Sequence, residues 1–196
     1  IAVLCSGGGT NFQAILSAQQ AGMIEHGEVV LLISDHKDAY VLTRAMRNGV
    51  ESAVVDVHEV PDRREREERI LGILREKEIG FVVFAGFMSI LSERFTRAYE
   101  GRIINVHPSL IPSFCGKGYY GLHVHEAVLA RGVKVTGATV HFVTEECDGG
   151  PIILQRAVEV KEGDTPESLQ KRVMREAEWV ILPEAVELVC KSLSQA

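Results

Sequence analysis

Long apolar runs are missing from this sequence. No stretch approaches the roughly 18 consecutive apolar residues that a membrane helix needs. The opening Ile1-Ala2-Val3-Leu4 is too short for a secretory signal and leads straight into a polar glycine turn. No membrane partner is expected. An initiator Met is also missing, so a residue or two is expected ahead of Ile1. Cysteine is scarce. Cys5, Cys115, Cys147 and Cys190 form no CxxC pair and no zinc pattern, which argues against a disulfide framework or a metal centre and for reduced thiols in the cytoplasm. Positive charge is in deficit: 21 Lys and Arg against 27 Asp and Glu give a net charge of −6. The isoelectric point near 5.7 leaves no electrostatic footprint for nucleic acid. Repeats, linkers and low-complexity tracts are absent too. What is present is 46% hydrophobic residues in a chain of 196, enough to bury a core and to exclude intrinsic disorder. One domain over residues 1–196 is expected.

Through the first half, apolar runs of strand length alternate with helical patterns. Strands are expected over residues 1–5, 28–34, 53–57 and 81–85, and helices over 11–20, 39–47 and 61–77. Continuous apolar strands separated by helices predict a parallel sheet covered on both faces, with ligands bound beyond the carboxyl ends of the strands. A fifth strand over 102–106, a long loop rich in Pro and Gly, and a helix over 122–131 follow. An alternating hairpin over 135–143 and 152–160 is placed at the sheet edge. Thr165, Pro166 and Ser168 open a closing helix that runs to Leu193, with Pro183 the place for a bend. The expected architecture is α/β: a Rossmann-like, mainly parallel sheet with helices on both faces and an antiparallel C-terminal edge hairpin.

Ser6-Gly7-Gly8-Gly9-Thr10-Asn11 joins the first strand to the first helix. Glycines let the backbone approach a ligand closely. The helix start adds free N–H groups and a positive dipole end, which suits a phosphate. A tight turn with Thr10 or Asn11 capping the helix accounts for the same residues. No Lys follows as in a P-loop, and Phe12 stands where a dinucleotide fingerprint has its third Gly. Asp35, after the second strand, reads either as a ribose contact or as a turn residue.

Asn105 and His107 lie two apart on an extended chain, so they project together, and Pro108 holds His107 extended. Asp148 falls in the hairpin turn, where Gly149 and Gly150 allow backbone conformations that aim its carboxylate inward. A carboxylate raises the pKa of a neighbouring imidazole, and the pair moves protons near neutral pH. An Asn amide can donate to a developing oxyanion. With no Ser or Cys in a nucleophile elbow, the set suits direct attack on a carbonyl by a substrate's own nucleophile. The same residues also read as a strand end, a histidine packed on a proline and a turn aspartate; the spacing does not show that positions 107 and 148 meet. The charged run from Arg63 to Arg69 pairs opposite charges four apart and reads as a solvated helix face. His123 and His125 lack further ligands at metal-binding spacing. His141 reads as a core or pocket-wall residue.

Five blocks occur in order: Ser6-Gly-Gly-Gly-Thr-Asn11, Ala85-Gly-Phe-Met-Ser-Ile-Leu91, Asn105-Val-His-Pro-Ser-Leu-Ile-Pro112, Thr136-Gly-Ala-Thr-Val-His-Phe-Val143 and Asp148-Gly-Gly-Pro-Ile-Ile153. Together they resemble the folate-dependent formyltransferase family and, over essentially the whole chain, its phosphoribosylglycinamide formyltransferase branch. The resemblance implies transfer of a formyl group from 10-formyltetrahydrofolate, a cosubstrate, to the amine of glycinamide ribonucleotide in purine biosynthesis. It implies a cytoplasmic monomer or homodimer without a metal, with the ribonucleotide phosphate in the N-terminal half and formylfolate and catalysis in the C-terminal half. Carried over residue by residue, it gives Asn105, His107 and Asp148 as the catalytic trio. Gly9, Thr10, Asn11, Arg175 and Glu178 would hold the ribonucleotide. Arg63, Met88, Ser89, Ile90, Leu91, Asn105, Thr144, Glu145, Glu146, Cys147 and Asp148 would line the formylfolate pocket. Ser89 stands where relatives often carry Arg or Lys, Trp179 where His is common, and the loop over 113–121 is longer than in some relatives. Two alternatives remain at this stage. One is a formyltetrahydrofolate hydrolase or a transferase acting on another amine. The other is a non-catalytic nucleotide-binding module, which accounts for the glycine loop and Asp35 but leaves Asn105, His107 and Asp148 unemployed.

Overall fold

The computed structural model describes residues 1–89 and 91–195. Its strands are β1 (Ala2–Leu4), β2 (Leu31–Ser34), β3 (Glu51–Val54), β4 (Val82–Phe84), β5 (Ile103–His107), β6 (Val135–Phe142) and β7 (Ile152–Glu159). The helices are α1 (Thr10–Gln20), α2 (Tyr40–Arg47), α3 (Arg63–Glu76), α4 (Glu93–Ala98), α5 (Leu122–Arg131), α6 (Pro166–Val173) and α7 (Trp179–Ser194). The strands form one sheet in the order β3-β2-β1-β4-β5-β6-β7. The first five are parallel and the last two join antiparallel. This is the expected Rossmann-like sheet with its antiparallel edge.

Each central strand serves two cores. Val3 faces one of them, with Phe12, Ile15, Val41, Val128, Leu169 and Leu182 from α1, α2, α5, α6 and α7. Its neighbours Ala2 and Leu4 face the other, with Ile70, Leu71 and Leu74 of α3 and Phe95 of α4. The period-two alternation of a pleated strand thus feeds apolar side chains to both helical layers, which is why the sequence shows unbroken apolar runs. The chain winds outward from β1 to β3 and then returns to β4 beside β1, so the loops after β1 and β4 flank the point where strand order reverses. Ligands of such sheets bind at that point.

Several boundaries differ from expectation. The second strand pairs only from Leu31, because its neighbour β1 is three residues long. The third strand runs over Glu51–Val54 rather than 53–57; as an edge strand it is mostly exposed, and apolar content does not mark its register. Val55 and Val57 still donate to the carbonyls of Ser34 and Asp35. The fifth strand extends to His107. Helix α4 was not expected: six residues with only Phe95 and Thr96 buried carry too little periodicity. The closing helix opens as anticipated, with Thr165 accepting from Ser168 N–H and Ser168 answering in a capping box. Its irregularity, however, is a π-helical turn over Met174–Glu178, while Pro183 lies inside α7. Pro183 has no N–H to give the carbonyl four residues back, that of Trp179, yet α7 runs on to Ser194.

Candidate active site

The glycine loop leaves β1 with Ser6 donating its N–H to the Gly86 carbonyl at 3.0 Å. Gly9 precedes α1 at φ +71°, a left-handed conformation that favours glycine. Thr10 and Asn11 are therefore inside the helix and do not cap it. A Cβ on Gly9 would lie 2.4 Å from Val41 Cγ2, so this glycine also permits α2 to pack against the loop. Gly7 and Gly8 are exposed with nothing near their missing Cβ positions. Arg44 Nε holds the Gly8 carbonyl at 2.8 Å. The first N–H groups of α1 are left free, as at any helix start. Thr10 also lines an open groove with Gln13, Arg44 and Trp179.

Asn11 turns its amide inward and donates from Nδ2 to Glu178 Oε2 at 2.7 Å. Glu178 ends the π turn and is fully enclosed; burial pushes its pKa up to about 6 against the opposing pull of the Asn11 hydrogen bond. Arg175, in the same turn, is exposed, and its Nε donates to the Lys171 carbonyl.

At the carboxyl end of β5, the predicted trio meets. Pairing of β5 with β6 sets Asn105 opposite His141 and His107 opposite Thr139. Asn105 Nδ2 lies 3.3 Å from His141 Nε2. Asp148 brings Oδ2 to 3.5 Å from His107 Nδ1 and Oδ1 to 3.6 Å from His141 Nε2. The turn achieves this differently from expectation: Asp148 itself takes φ +55°. Gly150 supplies room, since a Cβ there would strike the Phe142 carbonyl at 1.8 Å. Gly116 N–H donates to Asp148 Oδ2 at 2.8 Å, tying the long loop to the trio. His107 Nε2 faces the Phe114 carbonyl at 2.8 Å. His141 is thus a fourth member of the cluster, which spacing alone did not reveal.

The electrostatics correct one expectation. Burial lowers the His107 pKa and outweighs the raising effect of Asp148 and the Phe114 carbonyl. Burial would raise Asp148, but the His141 ring, His107 and the Gly116 N–H together bring it below its usual value. An ionised Asp148 therefore sits beside a His107 that is neutral at pH 7. The nearby thiols of Cys115 and Cys147 are pushed up, chiefly by burial and then by Asp148, which leaves them poor nucleophiles.

The segments expected to line a second ligand are close by. Met88 is exposed, and its N–H donates to Ser6 Oγ at 2.8 Å. Ser89 Oγ donates to Asp35 Oδ2 at 2.5 Å, and His36 Nδ1 lies 2.8 Å from the other oxygen. Asp35 is 1% exposed, so its carboxylate serves the protein rather than a ribose. Leu91 is half-buried, and Ile90 lies outside the described residues. Thr144, Glu145, Glu146 and Cys147 are exposed in the turn that carries Asp148. Arg63, at the start of α3, places Nε 3.3 Å from Glu67 Oε1. Glu67 is only 4% exposed, which corrects the reading of this run as a wholly solvated face. His123 pairs with Glu126 at the surface while His125 points into the core, so the two do not converge on a metal.

Fold and site together define a Rossmann-like α/β protein with a cluster of Asn105, His107, His141 and Asp148 at the carboxyl ends of its strands, beside a glycine loop. Residues 1–186 match the family model described as formyl transferase. The chain belongs to the formyl transferase family. It is 42% identical over 195 residues to the trifunctional purine biosynthetic protein adenosine-3 of Gallus gallus, covering 100% of this chain and 19% of that one. It is 39% identical over 192 residues to the chloroplastic phosphoribosylglycinamide formyltransferase of Arabidopsis thaliana, covering 97% of this chain and 65% of that one. The chain thus spans less than two thirds of either relative. The solved structure of glycinamide ribonucleotide transformylase 1 from Symbiobacterium toebii superposes with a TM-score of 0.90 at 43% identity, covering 97% of this chain and 87% of that one.

Proposed function

We propose that this chain transfers the formyl group of 10-formyltetrahydrofolate to the primary amine of glycinamide ribonucleotide, in purine biosynthesis and in the cytoplasm, as a monomer or homodimer. One observation carries the reading: Asn105, His107, His141 and Asp148 converge at the end of β5, in a relative of phosphoribosylglycinamide formyltransferases. Membership of the family fits formylfolate as cosubstrate, and among the described residues no helix is long and apolar enough to cross a membrane. The four unpaired cysteines fit a reducing compartment.

In this reading the ribonucleotide phosphate lies over the start of α1, held by Gly9, Thr10 and Asn11, with Glu178 and Arg175 around the rest of the molecule. Formylfolate lies along Met88–Leu91 and Thr144–Asp148, with Arg63 at one end. The neutral amine attacks the formyl carbon, a C–N bond forms, and the carbonyl oxygen becomes an oxyanion. Asn105 Nδ2 donates to that oxygen. His107 does so as a neutral ring once its Nε2–H exchanges the Phe114 carbonyl for the substrate, with the Asp148 carboxylate beside Nδ1. The bond to the folate nitrogen breaks as the proton of the attacking nitrogen moves to the leaving one, with the Asp148 carboxylate supporting the transfer. Preorganised donors of this kind act where charge develops.

The test is an absorbance assay with 10-formyl-5,8-dideazafolate, run with and without glycinamide ribonucleotide. Deformylation that requires the ribonucleotide and yields formylated ribonucleotide is expected. Deformylation without it would make the chain a hydrolase. Saturable nicotinamide-cofactor binding with no folate binding would favour a non-catalytic module.

A further inference from the structure

The loop that follows β4 is held at three points, and two of them, Asp35 and Glu67, are buried carboxylates that the proposed reaction leaves unused. Met88 N–H is taken by Ser6, and the Ser89 hydroxyl by Asp35. At the end of the loop, Ser92 gives its N–H to Glu67 Oε1 at 2.6 Å and its hydroxyl to Glu67 Oε2. Glu67 Oε1 also lies 3.3 Å from Arg63 Nε. A carboxylate withdrawn from water is costly unless its lone pairs are met, and Glu67, 4% exposed, has them met by these two residues. Arg63 is assigned above to formylfolate, and Ser92 directly follows the Met88–Leu91 segment assigned to it. Arg63, Glu67, Asp35, Phe87, Ser89 and Leu91 border one small cavity.

We propose that Glu67 is a positioning residue for the formylfolate cosubstrate, fixing the Arg63 fork and the end of the β4 loop in one arrangement. The proposal rests on the function given above. Engaging Arg63 through Nε leaves its two terminal amino groups for a ligand carboxylate, which a guanidinium meets in a bidentate fashion. Without the anchor, a long side chain and a loop must both be ordered when the ligand binds, and that cost falls on cosubstrate affinity rather than on the chemical step.

The experiment compares the wild-type chain with Glu67→Gln and Ser92→Ala. It measures kcat and the separate KM values for 10-formyl-5,8-dideazafolate and glycinamide ribonucleotide, with thermal unfolding alongside. Glu67→Gln keeps the shape but loses the charge. It is expected to raise the dideazafolate KM about tenfold, as for loss of a charge-assisted hydrogen bond, with kcat and the ribonucleotide KM within about twofold. Ser92→Ala removes one hydroxyl and leaves the fold least disturbed; it is expected to act in the same direction by about threefold. Dideazafolate KM values unchanged in both variants would overturn the proposal. So would KM values for both substrates that rise together with a fall in Tm, the sign of a merely structural residue. A wild-type chain without ribonucleotide-dependent deformylation fails before any variant is compared, and then the proposed function falls and this proposal with it.

Discussion

Asn11 and Glu178, 167 positions apart in the chain, are joined by one hydrogen bond of 2.7 Å between buried side chains. The bond ties the first turn of α1, just past the glycine loop, to the π turn that opens α7. It leaves this polar pair incompletely satisfied: among the described residues Asn11 Oδ1 has no partner, and the Glu178 carboxylate has the Asn11 amide alone. Two inward-facing acceptors beside a phosphate-type loop suit a ligand that brings donors, as an amine and ribose hydroxyls do. Polar groups left short of partners in a core are costly, and a π turn is a frequent companion of functional sites.

Glu178→Gln should therefore separate function from stability. The folded pKa of about 6 lies above the usual carboxylate value of 4.5. The unfolded chain gives up this proton first, so the ionised residue lowers stability as pH rises from 4.5 through 6 and at all higher pH. The difference corresponds to about 2 kcal/mol. The Gln variant should be the more stable protein at pH 7.5, by up to that amount, and the gain should vanish by pH 4. Its ribonucleotide KM should rise at least about tenfold through loss of a charged acceptor. Urea unfolding at both pH values, with steady-state kinetics at pH 7.5, checks both halves; equal stability at pH 7.5 would mean that the carboxylate is not held at raised pKa.

His107→Ala should lower kcat by about 10²–10³, the effect of removing one oxyanion donor, with ribonucleotide binding by calorimetry unchanged. Asp148 touches His107, His141 and the Gly116 N–H. Asp148→Asn should therefore lower kcat and also loosen the loop through Gly116, seen as faster amide exchange there. Near-normal turnover in His107→Ala would remove that ring from the chemistry.

Gly8 and Gly9 of the loop should behave differently on substitution by Ala. Gly9 has positive φ and Val41 at 2.4 Å from a Cβ position, so Gly9→Ala should destabilise the fold by several kcal/mol, a strained backbone alone costing about 1–3. A Cβ on Gly8 would meet nothing within 4 Å, so Gly8→Ala should stay within about 0.5 kcal/mol while weakening the ribonucleotide, if that open space is where the phosphate of the proposed substrate approaches the backbone. A Gly8→Ala variant with wild-type ribonucleotide affinity would reject close backbone approach at that position.

Much of this was legible in the residues. Val3, Leu32 and Val83 lie in unbroken apolar runs because both sheet faces are covered, and that pattern alone leads to a parallel sheet and to the loops where ligands bind. Asn105 and His107 share a face by strand periodicity. What escaped depends on pairing across the chain. His141 joins the cluster only because β6 lies antiparallel to β5 with His141 opposite Asn105, a register that no local pattern states. Glu67 looked like its solvated neighbours because its hydrogen-bond partner is Ser92, 25 residues away. The lowered His107 pKa was missed for a related reason: an adjacent carboxylate is readable from sequence, whereas depth of burial is not.

His125 offers the last prediction. It is fully buried in α5, and among the described residues neither ring nitrogen has a partner. Burial, with a smaller contribution from His107, lowers its pKa to about 4 from 6.5. The neutral ring is the folded form, so its contribution to stability is fully present above pH 6.5 and is lost as pH falls towards 4. The unfolded chain binds the proton first. The span corresponds to about 3 kcal/mol. His125→Leu removes both the titration and two unmet polar atoms while keeping a similar apolar volume. At pH 7.5 it should match or exceed wild-type stability, and between pH 6.5 and 4 its unfolding free energy should fall less steeply. Because His107 titrates in both proteins, the informative quantity is the difference between the two urea-unfolding profiles. A constant difference across that window would mean that His125 is hydrated or paired in solution and does not carry the pH dependence.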